Sequence, residues 1–153
     1  MTEHLPAELL AGDKLLPRDA AELCMKAGWT LLDDLVEMVA TMYAESTLFT
    51  EAVGPVNPNG TIDYGVYQLN DGHAPALNMT HEQFVAMAFD PPRAAGYAFE
   101  LFVAAGRQIS PVWVAHATGA FRKYLPQSLV GVANAYAVRQ GFTPVPFVSQ
   151  RRG

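Results

Sequence analysis

The chain has 153 residues, 50% of them hydrophobic, and a formal net charge of −5 at pH 7. This length fits one domain with a sizeable core. The acidic balance argues against nucleic-acid binding, because contact with phosphates needs a basic stripe that the sequence lacks. The single cysteine, Cys24, cannot form an intramolecular disulfide, so we expect a small buried hydrophobic residue there.

Two further classes of protein are disfavoured by composition. The first residues lack the basic and apolar segments of a signal peptide, and no run approaches the roughly 18 apolar residues that a membrane span needs. We therefore expect synthesis in a cytoplasm, no membrane span and a monomer. No histidine has metal-ligand spacing with the cysteine or with another histidine, so we expect neither a metal nor a cofactor.

Start and stop signals predict two helices in the first third of the chain. Pro17 begins a short helix that Gly28 closes. A capping pattern at Thr30 and Asp33 precedes a largely buried helix from about Leu31 to Ser46. Residues 51–71 then change to turn residues and alternating residues, which predicts short strands with a turn at 57–60.

The rest of the chain is predicted to be helical again. A capping pair predicts a helix over residues 80–89, and an Asp-Pro start signal opens another over 90–106. Ser-Pro at 110–111 opens a further segment, VWVAHATG, and a last helix is predicted over 128–141. The tail, 142–153, contains two prolines and is predicted to be extended.

These elements predict an α+β fold that is mostly helical, with one small antiparallel β region between helices. We expect a lead-in with a short helix at 1–29, a main domain at 30–141 and the tail at 142–153, all within one compact unit.

Two carboxylates stand out around the β region. Glu45 is the only carboxylate in the apolar end of its helix, MYAES, where burial and the helix dipole would favour the neutral acid and raise its pKa. Asp63 follows in the strand-like stretch NGTIDYGVYQLND, whose glycine indicates a bend or the close approach of a ligand. Two carboxyl groups in unlike environments suit glycoside hydrolysis, with one as general acid and the other as stabiliser or nucleophile. The alternatives are that Glu45 pairs locally and that Asp63 braces the turn.

Aromatic residues near these acids are candidate platforms for sugar rings, namely Tyr64, Tyr67 and Trp113. Each could instead belong to the core. His116 lies on the same predicted helix face as Trp113 and is a further candidate for substrate binding, with a structural histidine as the alternative.

The stretch TIDYGVYQLN resembles the strand of animal-type lysozymes that reads TDYG, two apolar positions, Q, an aliphatic residue and N. The resemblance implies a lysozyme-like fold and muramidase activity on peptidoglycan glycan strands. It assigns Asp63 as the second carboxylate, Glu45 as the acid, and Gln68 and Asn70 as cleft residues, of which Asn70 contacts the sugar. PVWVAH resembles a later lysozyme segment, which implies that Trp113 packs beside the acid.

A second family is also similar. AES at a helix end, followed by glycine, an apolar residue, an aromatic residue and Gln68, resembles motifs of soluble lytic transglycosylases, although H-A-T stands where A-Y-N is usual. In that family the acid, here Glu45, acts alone. A third possibility is a non-catalytic module that binds glycan or forms part of a phage particle.

The chain departs from the animal enzymes in being acidic, without disulfides and without a recognisable signal peptide. A phage origin would reconcile these facts, because an endolysin or virion-associated enzyme can be made in the host cytoplasm and reach the cell wall by another route.

Overall fold

The structure is a computed structural model that describes residues 6–141. Within that range the chain is mostly helical, with one small antiparallel sheet between helices, which confirms the predicted α+β class. The elements are α1 (Pro17–Ala27), α2 (Leu32–Ser46), β1 (Asp63–Tyr64), β2 (Leu69–Asn70), α3 (His81–Ala88), α4 (Pro91–Ala104), α5 (Val114–Ala117) and α6 (Leu125–Arg139). Short 3-10 segments cover Asp71–His73, Pro75–Leu77 and Ala120–Tyr124.

Several helix boundaries follow the start and stop signals. α1 begins at Pro17 and ends before Gly28, whose φ of 135° favours glycine. The predicted capping pair at α3 is confirmed: the Gln83 amide donates to Thr80 Oγ1 at 3.1 Å, and the Thr80 amide donates to Gln83 Oε1 at 2.9 Å.

Other predicted boundaries are wrong. α2 begins at Leu32 with no side-chain cap, so Thr30 and Asp33 do not act as a capping pair. Residues 110–112 form a turn, and α5 begins only at Val114. α6 begins earlier than predicted because Pro126 supplies the start signal, while Ser128 lies inside the helix and donates to the Val36 carbonyl at 2.5 Å. The predicted extended tail lies outside the described residues.

α2 is the centre of the core. It packs against α1, α5, α6 and the Ala120–Tyr124 segment, and nearly every residue from Leu35 onward is buried. The N-terminal segment runs alongside the end of α2 and the following loop, because the Ala7 amide donates to the Glu45 carbonyl at 3.1 Å and the Leu15 amide to the Leu48 carbonyl at 2.9 Å. Residues 6–29 therefore share one core with the rest of the described chain.

The β region is small and sharply bent. In its register Asp63 faces Asn70 and Tyr64 faces Leu69. Gly65 has a φ of 83°, and a Cβ there would lie 2.0 Å from the carbonyl oxygen of Ala88. The glycine at this position thus allows the hairpin to contact the end of α3. Close packing of the backbone therefore explains why the stretch contains a glycine. The predicted turn at 57–60 is confirmed by the Gly60 amide, which donates to the Asn57 carbonyl at 2.8 Å.

No helix among residues 6–141 is long and apolar enough to cross a membrane.

Candidate active site

A cleft of about 680 Å³ separates the hairpin from the end of α2 and the start of α5. Both predicted carboxylates, Glu45 and Asp63, line it, together with three other predicted site residues, Gln68, Asn70 and Trp113. The remaining lining residues are Pro55, Asn57, Pro58, Asn59, Thr61, Leu69, His73, Leu101, Val112 and Val114.

Glu45 is buried in the wall of the cleft, with only 8% of its surface exposed. One polar contact reaches its carboxyl group: the Ala115 amide at the start of α5 donates to Oε2 at 3.3 Å. Burial raises the pKa of Glu45 to about 7, the Ala115 hydrogen bond lowers it, and the charge of Asp63 adds to the rise. The expected desolvation of this acid is confirmed.

The end of α2 is fixed to the hairpin through the residue after the acid. The buried Ser46 hydroxyl lies 2.7 Å from the Val66 carbonyl and accepts a hydrogen bond from the Leu48 amide at 3.2 Å. Thr47 and Leu48 have φ values of 54° and 67°, a left-handed pair that ends the helix abruptly. The position of Glu45 relative to the hairpin is therefore set by short, local contacts.

Asp63 occupies a more polar environment on β1 and is half-buried. Burial raises its pKa, hydrogen bonds from Asn70 and Asn57 lower it, the charge of Asp71 raises it, and His73 lowers it. The Asn70 amide nitrogen lies 2.8 Å from Asp63 Oδ1, so this residue orients the carboxylate.

Asn70 is tightly held in turn. Its amide nitrogen also lies 2.8 Å from Thr61 Oγ1, and its Oδ1 accepts a hydrogen bond from the Gly72 amide at 2.9 Å. With its N–H groups committed inside the hairpin, Asn70 can offer a ligand only its oxygen. The structure therefore favours Asn70 as a positioning residue for Asp63.

Gln68 and Trp113 form the inner wall. The Gln68 amide nitrogen lies 3.0 Å from the Gly65 carbonyl and 3.2 Å from that of Ala52. Trp113 donates from Nε1 to the Tyr67 carbonyl at 2.8 Å and is 2% exposed. Both side chains shape the cleft from below and leave little surface for stacking on a sugar.

Tyr64 and Tyr67 are not among the residues that line the cleft, so the alternative that each belongs to the core applies. Tyr67 is fully buried, stacks on Trp29 with a centroid separation of 6.3 Å, and places its hydroxyl 3.3 Å from the Cys24 thiol. Tyr64 is buried against His81 and Phe89. The physical reason is area: an aromatic ring gains more free energy by filling the core than by facing solvent.

His116 is also absent from the cleft, so the alternative of a structural histidine applies. Its Nε2 lies 2.5 Å from Glu37 Oε1, its Nδ1 lies 2.6 Å from Ser110 Oγ, and its ring stacks on Phe121. Cys24, as expected, is buried, and burial raises the pKa of its thiol to about 12.

Four polar lining residues were missed in the sequence: Asn57, Asn59, Thr61 and His73. Asn57 and Asn59 belong to the predicted turn at 57–60, and Thr61 follows it. Amide and hydroxyl side chains are common in and beside turns, so the turn alone accounted for these residues and nothing in the sequence indicated a second role. His73 follows β2, and its Nδ1 lies 2.8 Å from the Tyr97 hydroxyl.

No group of three or more metal-ligating side chains occurs in the part of the chain that the structure describes. No protein-family model matches the chain, and no curated protein matches it. The case for a function consequently depends on the geometry and chemistry of the cleft.

Proposed function

We propose that the protein is a peptidoglycan glycosidase of muramidase type, which hydrolyses the β-1,4 bond between N-acetylmuramic acid and N-acetylglucosamine. The observation that carries the proposal is a buried carboxyl group, Glu45, with a pKa of about 7, in one cleft with a second carboxyl group, Asp63. A general acid works best when its pKa lies near the working pH, because it then holds its proton and can still release it.

The two groups support a division of labour. Glu45 donates its proton to the glycosidic oxygen as the bond breaks, while ionised Asp63, oriented by Asn70, stabilises or attacks the oxocarbenium-like carbon. Glu45 then takes a proton from the incoming water and returns to its starting state.

The remainder of the cleft suits a polar, largely uncharged polymer. Its volume of about 680 Å³ falls within the range of pockets for small ligands, roughly 300–1,000 Å³. Amide and hydroxyl groups of Asn57, Asn59 and Thr61 lie along one edge, and Leu101, Val112 and Val114 supply apolar surface. Sugars present both kinds of surface.

A second candidate is the lytic transglycosylase reaction on the same bond, in which the hydroxyl of the sugar closes a 1,6-anhydro ring. One feature of Asp63 favours it: its Oδ1 accepts a hydrogen bond from the Asn70 amide at 2.8 Å, which reduces the strength of that oxygen as a nucleophile. Glu45, with a pKa of about 7, can serve first as acid and then as base without a partner.

The proposed setting is a phage endolysin or a virion-associated enzyme made in the host cytoplasm. Its support is the resemblance of the sequence motifs and the unpaired, buried Cys24, which is compatible with a reducing compartment.

Product analysis tests the proposal. Purified protein is incubated with bacterial sacculi, and the released muropeptides are weighed by mass spectrometry, with Glu45→Gln as the inactive control. New reducing ends are expected. Products with 1,6-anhydro ends would show that the protein is a lytic transglycosylase and not a hydrolase. An unchanged sacculus that retains bound protein would show that the protein is a glycan-binding module and neither kind of enzyme.

A further inference from the structure

A chain of hydrogen bonds outside the cleft joins α2 to α5 and the turn before it. Glu37 on α2 contacts His116 Nε2 at 2.5 Å, and His116 Nδ1 contacts Ser110 Oγ at 2.6 Å in the turn before α5. The ring of His116 also stacks on Phe121 with a centroid separation of 4.3 Å. We name Glu37, His116 and Ser110 the α2–α5 clamp.

Besides its contacts with α2, α5 is anchored by the residue before it, Trp113, which donates from Nε1 to the Tyr67 carbonyl at 2.8 Å. α5 has four residues and no side-chain cap, so it contributes little stability of its own. Two polar contacts connect it to α2: the clamp at Glu37, and the Ala115 amide at Glu45. At about 1.5 Å of rise per residue, these attachment points lie roughly 12 Å apart along α2. With Trp113 held on Tyr67 at the start of α5, the contact at Glu37 limits rotation of this helix about that anchor and so holds the Ala115 N–H toward Glu45.

We propose that the α2–α5 clamp is a positioning device that keeps the Ala115 N–H on the Glu45 carboxyl group. Glu37, His116 and Ser110 are then positioning residues for the acid, although none of them lines the cleft. The consequence for catalysis rests on the proposed function, but the placement of Ala115 does not.

The two hydrogen bonds of the clamp are compatible with one another. Glu37 can accept from Nε2–H while the Ser110 hydroxyl donates to Nδ1. Phe121 stacks on the His116 ring, and the Arg122 guanidinium lies 5.8 Å from the centre of the Phe121 ring.

Breaking the clamp should change the acid in a defined direction. The Ala115 hydrogen bond stabilises the charged carboxylate and so lowers the pKa of Glu45. Trp113 keeps α5 packed over the acid when the clamp is broken, so the burial of Glu45 is retained while the Ala115 N–H turns away from it. The stabilisation of the carboxylate then weakens and the pKa of Glu45 rises, by about one pH unit if the bond is lost completely.

The test uses the full chain and two disrupting variants. His116→Phe removes both hydrogen bonds and keeps a ring to stack on Phe121, and Glu37→Ala acts at a side chain that is 42% exposed, where loss of fold is not expected. Glu37→Gln is the conservative variant, because its amide oxygen can still accept from His116. His81→Phe is the matched control, because it breaks another histidine–carboxylate pair, His81 with Asp71 at 3.2 Å, away from Ala115.

Two readouts follow Glu45 directly by NMR: the titration of its carboxyl carbon and the exchange rate of the Ala115 amide. We expect His116→Phe and Glu37→Ala to raise the titration midpoint by about one pH unit and to speed Ala115 exchange roughly tenfold. Glu37→Gln and His81→Phe should change neither. Unchanged values in both disrupting variants, or an equal change in the control, would overturn the proposal.

Neither readout requires glycan cleavage, so the clamp and the proposed function can fail separately. If the protein cleaves walls, the alkaline limb of its pH profile should move upward with the midpoint in the two disrupting variants. If the titration midpoint of Glu45 shifts but the protein cleaves no glycan, the positioning role of the clamp is supported and the proposed glycosidase activity is wrong.

Discussion

The two walls of the cleft give their carboxyl groups different degrees of burial and different numbers of polar neighbours. On the helical wall, Glu45 ends a buried helix and receives one long hydrogen bond, from the Ala115 amide at 3.3 Å. On the hairpin wall, Asp63 is only half-buried and is hydrogen-bonded by Asn70 and Asn57, with His73 nearby. Desolvation therefore dominates at the first group, while hydrogen bonds and charges partly offset it at the second.

The comparison shows how one small fold can place two carboxyl groups with different surroundings in the same cleft. A helix can be packed on all sides because its backbone N–H and C=O groups form hydrogen bonds within the helix, so a side chain such as that of Glu45 can be buried with few polar partners. A two-residue strand forms few such hydrogen bonds, and the amide and hydroxyl groups of the neighbouring turn surround its side chains. The different surroundings of the two acids follow from the secondary structure that carries each of them.

Removing the proton donor is the change with the largest expected effect. Glu45→Gln keeps the shape of the side chain and abolishes proton donation, so the rate of wall cleavage should fall about 10³-fold. Circular dichroism should show an unchanged fold. Glu51→Gln, an exposed carboxylate beyond the helix end, is the matched control and should remain active. Activity within a few-fold of the parent in Glu45→Gln would remove the helical wall from the mechanism.

The same substitution should stabilise the protein at alkaline pH. Because the folded-state pKa of Glu45 is raised from 4.5 to about 7, the folded protein holds this proton more tightly than the unfolded chain does. The free energy of unfolding therefore falls as pH rises from about 4.5 to 7, by about 3 kcal/mol in total. Glu45→Gln removes this loss.

Urea unfolding at pH 4 and pH 8 measures the difference. Relative to the parent, Glu45→Gln should gain up to about 3 kcal/mol more at pH 8 than at pH 4. If the difference in the free energy of unfolding between Glu45→Gln and the parent is the same at both pH values, ionisation of Glu45 does not destabilise the fold.

Asp63→Asn tests the hairpin wall. Its amide oxygen can still accept from Asn70, so stability should hold, while the lost charge should reduce hydrolysis by about 10²-fold. Loss of the repulsion should also lower the pKa of Glu45 and shift the alkaline limb of the pH profile downward. Asp33→Asn is the control, because Asp33 is an exposed carboxylate that does not line the cleft. Normal cleavage by Asp63→Asn would favour the single-acid reaction.

The sequence was sufficient for the helical wall because its signals are local. The apolar periodicity of α2 and the isolated acid in MYAES predicted a buried carboxyl group, and the structure has one. The helix class, the turn at 57–60 and the caps of α1 and α3 were also accessible, since each depends on residues within one turn of the chain.

The parts that failed depend on distant contacts. Whether Tyr67 faces a ligand or the core is decided by Trp29 and Cys24, which lie far away in the chain. His116 was a candidate for substrate binding because it follows Trp113 by three positions on a predicted helix face, but its contact with Glu37 on α2 supports the alternative of a structural histidine. Asn57 and Thr61, which line the cleft, were not predicted as site residues because a turn was enough to explain polar side chains at these positions.

The smallest expected effect concerns salt, and it asks whether the electronegative character of both walls matters for encounter with the substrate. Neither lysine nor arginine is among the residues that line this cleft, and the chain carries a net charge of −5. An anionic wall polymer is therefore repelled, and salt relieves the repulsion because the screening length falls from about 30 Å at 0.01 M to about 8 Å at 0.15 M. The kcat/KM for wall cleavage should stay constant or rise, by no more than about threefold. A neutral oligomer of N-acetylglucosamine is the control substrate, and any cleavage of it should be independent of salt. A steep decrease of kcat/KM with salt, seen only with the cell-wall polymer, would mean that a basic surface outside the cleft attracts the substrate more strongly than the cleft repels it. Arg122 with Lys123 is such a surface.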